Sequence, residues 1–319
     1  MKVIGTGSYL PEGVLTNTDL ERYVQTSDAW ITSRTGIKER RLSVEENTSD
    51  LAMKAAKRAL EKAGIDASLL ALIVVATSTP DDALPGVSHQ VLRQLGVSGA
   101  MAFDLNAACT GFVYAMDVAA SLMQAHRFRY SLVIGAEVMS KIIDWDDRDT
   151  CVLFGDGAGA VVLEHTEKPN LFYRRCLAMA DVDAVLRAPG VAVSHPLWQE
   201  QKRDAYLKMK GQEVFKFAVR VTCEAIGDAL ETTELSATDV AHYVLHQANS
   251  RILDQVAKKL KQPPQKFYST LAQTGNTSAA SIPIALDALN EAESLKFGEK
   301  VVLAGFGAGL TYGVLVFEW

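Results

Sequence analysis

Hydrophobic and polar positions along the chain follow two patterns. Apolar residues recur at helical spacing in segments such as SDLAMKAAKRALEKAG, whereas LIVVAT and SLVIGA are short apolar runs rich in β-branched residues. Such runs, which lack polar alternation, are typical of sheets that are covered by helices on both faces. The pattern therefore predicts an α/β protein with layered sheets.

The same order of helix, turn and strand occurs in both halves of the chain. SDLAMKAAKRALEKAGIDASLLALIVVATSTP matches FKFAVRVTCEAIGDALETTELSATDVAHYVLHQAN, so Thr77 and His246 are predicted to end equivalent strands. VLRQLGVSGAMAFDLNAACTGF resembles VAKKLKQPPQKFYSTLAQTGNTSAA in the same way, which puts Cys109 and Asn276 at matching places. A third pair is RYSLVIGAEVMS and EKVVLAGFGAG.

We interpret this duplication as two fused copies of one α/β unit. The clearest break between elements is HTEKPN, which is polar and contains a proline. It divides the chain into an amino-terminal half of residues 1–166, with Cys109, and a carboxy-terminal half of residues 167–319, with His246 and Asn276.

Composition and charge narrow the classes of function. The chain has 319 residues, 48% of them hydrophobic, which is enough to bury a large core. Its net charge is -6 and its basic residues form no long run, which argues against nucleic acid or an anionic membrane as a partner. The start lacks a signal-peptide pattern and no apolar run approaches the ~18 residues needed to span a bilayer, so we expect a cytoplasmic protein. Its four cysteines form no Cys-x-x-Cys pair, which indicates neither a disulfide framework nor a metal site.

Three polar residues are candidates for chemistry. Cys109, in AACTGF, lies where a strand ends and a small-residue helix begins, so the helix dipole is expected to lower the pKa of its thiol. His246 lies in YVLHQAN and Asn276 in QTGNTSAAS. Taken singly, a buried structural cysteine, a structural histidine and a turn or cap asparagine are the commoner explanations.

Two symmetric halves would bring these three residues to a common centre. A cysteine nucleophile with two neutral donors suits thioester exchange followed by decarboxylation. Cys109 would accept an acyl group, and His246 and Asn276 would bind the malonyl thioester oxygen as it gains enolate charge. That chemistry requires no external base, metal or other cofactor.

Two glycine-rich segments accompany these candidates. GFGAGLTYG would bring backbone N–H groups close to the same centre as an oxyanion site, although an ordinary turn explains its glycines equally well. LFGDGAGAVVL runs directly into an apolar strand and not into a capped helix, so we interpret it as a packing motif and not as a nucleotide loop.

Six motifs in order resemble one enzyme family. TSDAWITSRTGIKERR, AACTGF, DRDTCVLFGDGAGA, HQANSRI, GNTSAAS and FGAGLTYG are similar to those of 3-ketoacyl-acyl-carrier-protein synthase III. The resemblance covers nearly the whole chain and implies the thiolase fold, with two pseudo-symmetric halves in a layered αβαβα arrangement. It implies an acyltransferase that condenses an acyl-CoA primer with malonyl-acyl carrier protein, releasing CO2 and coenzyme A, and so initiates fatty acid synthesis.

The resemblance implies a role for each catalytic residue. Cys109 is the acylated nucleophile, and His246 and Asn276 are the decarboxylation pair. The backbone N–H groups of Cys109 and Ala308 would form the oxyanion hole.

Coenzyme A and carrier-protein contacts follow from the same resemblance. Trp30 and Arg148 would sandwich the adenine, and Arg34 would meet the phosphates. The remaining coenzyme A contacts would be Met209, Gly211 and Asn249. The carrier protein would dock on Arg251, Lys258 and Lys259, although a solvated helix face explains the two lysines nearly as well.

Family enzymes are homodimers, which implies a shared acyl pocket. Leu84 of the partner subunit would help to close it, together with Phe306 of the same chain. Between Leu171 and Lys208 the chain departs from the family pattern, and we expect this difference to affect the choice of acyl group more than the chemistry.

Three alternatives remain beside the primary function. A specialised paralogue could prime a polyketide or secondary metabolite, or use an unusual acyl chain. Thiolase itself is disfavoured, because that family carries a second reactive cysteine in its carboxy-terminal glycine motif and GFGAGLTYG has none. An inactive scaffold is disfavoured because it would need none of Cys109, His246 and Asn276.

Overall fold

The first half of the chain forms a sheet with helices on both faces. A computed structural model describes residues 1–167, 170–192, 196–197 and 206–319. The elements of the first half are, in chain order, β1 (Lys2–Tyr9), β2 (Gly13–Thr16), α1 (Asn17–Leu20), α2 (Asp28–Thr35), β3 (Glu39–Leu42), α3 (Thr48–Ala63), β4 (Leu70–Ala76), α4 (Val87–Leu95), β5 (Met101–Leu105), α5 (Gly111–His126), β6 (Tyr130–Val138), α6 (Arg148–Cys151) and β7 (Asp156–Glu164).

The second half repeats this organisation. Its elements are β8 (Leu171–Ala178), β9 (Leu186–Arg187), β10 (Lys208–Met209), α7 (Gly211–Thr232), β11 (Val240–Leu245), α8 (Ser250–Lys259), α9 (Leu271–Thr274), α10 (Ser281–Glu291), β12 (Lys300–Gly307) and β13 (Thr311–Glu318). The division expected at residues 166 and 167 falls between β7 and β8, and Lys168 and Pro169 of that link lie outside the described residues.

Two sheets of matching topology form the framework. The first has the strand order β1-β7-β6-β4-β5, and the second has the order β11-β12-β13-β8. Read from β1 and from β8, the first three pairings are antiparallel, antiparallel and parallel in both sheets. An isolated parallel bridge between Tyr243 and Phe267 stands where the second sheet would have a strand like β5. Short ribbons join β2 to β3 and β9 to β10.

Helices cover both faces of both sheets. One apolar cluster packs α3 and α4 on the outer face of the first sheet, and another packs α7 and α8 on the outer face of the second. The largest cluster joins the inner faces of the two sheets through α5 and α10. The layered αβαβα arrangement expected from the sequence is therefore confirmed, and the strands are buried on both sides, as their apolar sequences predict.

Local sequence explains where the helices begin and end. The helix α3 starts with a capping box between Asn47 and Asp50, and it ends at Gly64, whose φ of 65° is the left-handed conformation that glycine adopts without strain. Among the described residues, no helix is both long and apolar enough to cross a membrane.

The structure corrects one alignment made from the repeat. As expected, Thr77 and His246 directly follow β4 and β11. The turns before α5 and α10, however, match at Ala108 and Ser278, which both have φ 49°. Each backbone N–H is bonded to an asparagine side chain two residues earlier, so the equivalent of Asn276 is Asn106 and not Cys109. The alignment of Cys109 with Asn276 was wrong by three residues, because apolar patterning does not fix the register of a turn.

Candidate active site

A cavity of about 760 Å³ opens between the two halves of the chain. Both halves supply its walls, and Cys109, His246 and Asn276 all line it. Its other lining residues are Trp30, Arg34, Thr35, Asp149, Leu153, Phe154, Leu186, Met209, Gly211, Gln212, Val214, Phe215, Lys216, Ala248, Asn249, Arg251, Ile252, Phe306 and Gly307. The structure thus brings together the three residues that the sequence suggested, and their catalytic roles stay predictions.

Cys109 lies in a single 3-10 turn between β5 and α5. The turn is held by the side chain of Asn106, which accepts a hydrogen bond of 3.1 Å from the N–H of Ala108. The strained φ of 49° at Ala108 directs the chain into α5 and leaves Cys109 only 7% exposed. The thiol is therefore accessible from the cavity and not from the outer surface.

The acidity of Cys109 differs from the sequence-based expectation. Burial raises the pKa of Cys109 to about 12, although a hydrogen bond with Ser278 acts in the opposite direction. The nearby carboxyl of Glu137 raises the pKa further. The expected lowering of the pKa by the helix is therefore wrong, because desolvation of a thiolate outweighs the helix dipole.

Glu137 is a fully buried carboxyl close to Cys109. It accepts hydrogen bonds from the backbone N–H of Ser78 at 3.0 Å and from the hydroxyl of Thr79 at 2.5 Å. The hydroxyl of Ser78 in turn donates to Asn106 at 3.0 Å. This network connects the end of β4 to the turn that carries Cys109.

His246 is the first residue after β11 and is 1% exposed. Its Nδ1 atom lies 2.7 Å from the hydroxyl of Ser281, which leaves Nε2 for the cavity. The ring of Phe306 packs edge-on against the imidazole, with 4.9 Å between ring centres. Burial lowers the pKa of His246 to about 3, so the imidazole is neutral near pH 7 and can donate or accept a hydrogen bond without bringing charge.

Asn276 is fixed by three hydrogen bonds. Its backbone N–H donates to the carbonyl of Leu153 at 2.9 Å, and its own carbonyl accepts from the N–H of Gly155 at 3.0 Å. Its Oδ1 atom accepts from the N–H of Ser278 at 2.8 Å. Within the described ranges the Nδ2 atom has no hydrogen-bond partner, so it can donate to a ligand in the cavity.

The glycine-rich end of β12 comes very close to the backbone of Cys109. A Cβ atom on Gly307 would lie 2.8 Å from the backbone nitrogen of Cys109, so only glycine permits this approach. Ala308, predicted for the oxyanion hole, is the next residue and starts the turn into β13. Gly307 itself lines the cavity, and Ala308 is not among the lining residues.

Trp30 and Arg148 meet at the mouth of the cavity. The guanidinium carbon of Arg148 lies 4.8 Å from the centre of the Trp30 ring. A planar ring between them would need about 3.5 Å of contact distance on each face, so the observed gap is too small. Binding of an adenine there would therefore require Arg148, which is also bonded to the carbonyl of Gln25 at 3.3 Å, to move away.

The other predicted coenzyme A residues line the same cavity but differ in their contacts. Arg34 is exposed at the end of α2. Asn249 caps α8, since its Oδ1 accepts from the N–H of Arg251 at 2.9 Å, and its Nδ2 donates to the carbonyl of Arg34 at 3.1 Å. Both polar atoms of its amide are thus occupied, Oδ1 by helix capping and Nδ2 by the carbonyl of Arg34. Met209 and Gly211 lie at the start of α7, beside the ribbon of β9 and β10.

The basic residues predicted for carrier-protein docking lie at different places on α8. Arg251 is in the first turn, at the cavity, where its guanidinium lies 5.7 Å from the Phe215 ring. Lys258 and Lys259 are exposed in the last turn, about 10 Å further along the helix at its usual rise. Lys216 on α7 lines the cavity beside Phe215 and was missed, because a lysine on an amphipathic helix has no distinctive sequence signal.

Leu84 lies away from the cavity, whereas part of the divergent segment lines it. The side chain of Leu84 is 88% exposed and does not line the cavity of its own chain. Of the segment from Leu171 to Lys208, residues 193–195 and 198–205 lie outside the described residues. Leu186 from this segment reaches the cavity wall.

Glycines in LFGDGAGAVVL serve packing, as predicted. A Cβ atom on Gly159 would lie 2.6 Å from the backbone nitrogen of Ile284 in α10. The segment forms β7 and not the start of a phosphate-binding helix. Across the described part of the chain, no group of three or more His, Cys, Asp or Glu side chains could hold a metal ion.

Comparisons with known proteins agree over the whole chain. The family model described as 3-oxoacyl-[acyl-carrier-protein (ACP)] synthase III matches residues 103–177, and the model of the C-terminal part of that enzyme matches residues 230–319. The beta-ketoacyl-[acyl-carrier-protein] synthase III of Clostridium acetobutylicum is 46% identical, over 100% of this chain and 98% of the relative.

Solved structures give the same result. The crystal structure of 3-oxoacyl-[acyl-carrier-protein] synthase III from Aquifex aeolicus VF5 superposes with a TM-score of 0.92 at 43% identity, covering 100% of this chain and 99% of the other. The priming beta-ketosynthase from the R1128 polyketide biosynthetic pathway has a TM-score of 0.92 at 34% identity, over 99% of this chain and 95% of the other.

Proposed function

The chain belongs to the 3-oxoacyl-[acyl-carrier-protein] synthase III family and is a condensing acyltransferase of thiolase-like fold, and from this premise we propose its substrates and the roles of its residues. The substrates are an acyl-CoA primer and malonyl-acyl carrier protein. The products are a 3-ketoacyl-acyl carrier protein, coenzyme A and CO2. No metal or prosthetic group takes part, because loss of CO2 supplies the carbanion.

The first half-reaction acylates Cys109. Its sulfur attacks the thioester carbonyl of the primer, and the backbone N–H groups of Cys109 and Ala308 stabilise the tetrahedral oxyanion. The carbon–sulfur bond to coenzyme A then breaks. Because burial keeps the Cys109 thiol protonated, its proton must leave as the new bond forms, and the departing coenzyme A thiolate takes up one proton, so the step is balanced.

The second half-reaction uses His246 and Asn276. As the malonyl thioester loses CO2, Nε2 of His246 and Nδ2 of Asn276 donate to the enolate oxygen. Both donors are uncharged before the step, so neither needs a proton to be removed or added. The enolate carbon attacks the acyl-cysteine, the Cys109 thiolate leaves, and a proton from solvent restores the thiol.

One observation carries this proposal. Each donor has its other polar atom engaged by protein: Ser281 holds Nδ1 of His246, and the N–H of Ser278 holds Oδ1 of Asn276. With the Ser281 hydroxyl donating to Nδ1, the ring proton of His246 lies on Nε2. Among the described residues this N–H and the Nδ2 amide of Asn276 have no other partner, so both can donate to one ligand oxygen in the cavity that also contains the sulfur of Cys109. Such preorganised donors act only where negative charge develops.

The remaining partners follow from the surface of the molecule. We propose that coenzyme A enters past Trp30, Arg34 and Arg148, and that the acidic carrier protein docks beside Arg251. The chain forms a homodimer through β5, which is an edge strand of the first sheet and leaves one side open for pairing. The exposed Leu84 would then contact the partner subunit. These substrates imply a cytoplasmic location.

Half-reaction assays test the function. Incubation with radiolabelled acetyl-CoA and longer acyl-CoAs should label Cys109, and CO2 release from malonyl-acyl carrier protein should fall about 10²- to 10³-fold in His246→Ala and in Asn276→Ala. Labelling should be retained in both variants. The matched controls are His89→Ala on the exposed side of α4 and Asn290→Ala outside the cavity, which should behave as the unmodified protein. Absence of any acyl label on Cys109 would overturn the proposal.

A specialised priming enzyme is the second candidate, supported by two observations. The chain is similar to a polyketide priming ketosynthase, and it departs from the family pattern between Leu171 and Lys208. Competition among acyl-CoAs for Cys109 separates the two candidates. A clear preference for acetyl-CoA would favour the primary function, and a preference for a longer or branched acyl group would favour the specialised one.

A further inference from the structure

Arg40 on β3 carries a buried charge that the proposed chemistry does not use. Its side chain is fully buried, with 0% exposure. The guanidinium donates to the carbonyl of Leu15 at 3.1 Å, to Oδ1 of Asn17 at 2.9 and 3.0 Å, and to the carbonyl of Val152 at 2.7 Å. All of these acceptors are neutral.

A cation in this position is costly for folding. Among the described residues no carboxylate is within ion-pair distance of Arg40, and its Nε atom has no hydrogen-bond partner. Burial lowers the pKa of Arg40 to about 10, so the group is still charged at neutral pH. A buried charge without a counter-ion destabilises the fold unless hydrogen bonds compensate it. Its presence needs a reason beyond packing.

The hydrogen bond to Val152 leads directly to the candidate active site. The next residues, Leu153 and Gly155, bond the backbone of Asn276 from both sides, at 2.9 and 3.0 Å. Phe154, between them, forms an isolated parallel bridge with Asn276. Arg40 therefore anchors the short segment 152–155 that holds the backbone of Asn276.

Packing connects Arg40 to Asn276 by a second route. Gly155 and Gly275 both face the Cβ atom of Arg40, and a Cβ atom added to either would lie 3.1 Å from it. Gly275 has φ 62°, and it immediately precedes Asn276. The aliphatic part of Arg40 thus supports the turn that directs the Asn276 side chain. Its guanidinium holds the segment 152–155 through the carbonyl of Val152.

We propose that Arg40 is a positioning residue for Asn276, which aims the carboxamide at the enolate oxygen of the decarboxylating malonyl thioester. The inference rests on the proposed function, because it assigns Arg40 to the second half-reaction alone. The turn of Cys109 is held separately, by Asn106 and the end of β4, and it meets the turn of Asn276 through the hydrogen bond between Cys109 and Ser278, on the far side of Asn276 from Arg40.

Separate measurement of the two half-reactions tests the proposal. In Arg40→Met, the kcat of CO2 release from malonyl-acyl carrier protein should fall about 10- to 100-fold, because small displacements of a catalytic donor have effects of this size. Labelling of Cys109 by acyl-CoA should stay within about twofold of the unmodified protein. Arg40→Lys, which keeps a charge but not the planar fork of donors, should give an intermediate loss of CO2 release.

Arg41 provides the matched control. It is the next residue on β3, and its guanidinium contacts the carbonyl of Pro11 at 3.4 Å and Glu39 at 3.8 Å, with no bond to the segment 152–155. Arg41→Met should leave both half-reactions unchanged. Equal losses of acylation and CO2 release in Arg40→Met would show a general structural role and would overturn the proposal, as would no loss of either.

A double-mutant cycle gives the decisive result. If Arg40 acts through Asn276, the loss caused by Arg40→Met, or by Arg40→Lys should the methionine variant not fold, should disappear in an Asn276→Ala background. If the double variant loses CO2 release by the product of the two single losses, Arg40 acts independently of Asn276 and the positioning role is overturned. If Asn276→Ala alone leaves CO2 release unchanged, the failure lies in the proposed role of Asn276 and not in its connection to Arg40.

Discussion

Cys109 shows how far the acidity of one residue can differ from what its sequence motif predicts. The turn before α5 points Cys109 at a helix start, as the motif predicts, but the same turn buries the sulfur beside the carboxyl of Glu137. Desolvation and a neighbouring negative charge both favour the neutral thiol. If Cys109 is the nucleophile, we therefore expect its reactivity to depend on the alignment of the substrate more than on a standing thiolate.

Alkylation of Cys109 should increase continuously with pH. The pKa of about 12 means that the thiolate fraction rises about tenfold for each pH unit between pH 7 and 9, so the rate of reaction with iodoacetamide should rise in proportion. Comparison with Cys109→Ala removes the contribution of the other cysteines. A rate that levels off near pH 7 would show instead a low-pKa thiol.

Close contact between β7 and α10 is the element-scale feature on which the site depends. Gly159 in β7 touches the backbone of Pro283 and Ile284 in the first turn of α10. That turn begins with Ser281, which holds the ring of His246. The spacing of strand and helix therefore sets the orientation of a side chain in the other half of the molecule.

Gly159→Ala should lower the free energy of unfolding. The added methyl would meet backbone atoms at 2.6 Å that have no room to move, and overpacking of this kind costs about 1–3 kcal/mol. Gly227→Ala, within α7 and with nothing within 4 Å of its Cβ position, should raise stability by about 0.5–1 kcal/mol. Urea denaturation of both variants measures the difference, and an unchanged midpoint for Gly159→Ala would contradict the packing argument.

At the scale of the whole molecule, the apolar pattern predicted the layers and the duplication. The duplication brought Cys109, His246 and Asn276 to a common centre, and the family resemblance supplied the coenzyme A residues that line the same cavity. The apolar pattern did not predict the register of the turns, because Asn106 and Asn276 are recognised as equivalent only from their hydrogen bonds and from the matching φ of Ala108 and Ser278. Burial effects on pKa and the contribution of Lys216 also depend on three-dimensional neighbours.

The association state should depend on Leu84. An aspartate at this position should not disturb the isolated chain, since the leucine is 88% exposed, but it should weaken a dimer that buries it through β5. Light scattering should therefore show a dimer for the unmodified protein and a shift to monomer for Leu84→Asp. Val44→Asp, at a site 84% exposed elsewhere, is the control and should stay dimeric. Monomeric unmodified protein would refute the proposed dimer.

The paired turns at Ala108 and Ser278 place different chemical groups in the same cavity. The same backbone turn occurs in each half, yet one copy presents sulfur and the other presents an amide to the shared cavity. A fragment with only one half of the chain would carry either the sulfur or the amide, but not both. If these groups act as proposed, catalysis depends on the interface between the two halves, and neither half contains the function alone.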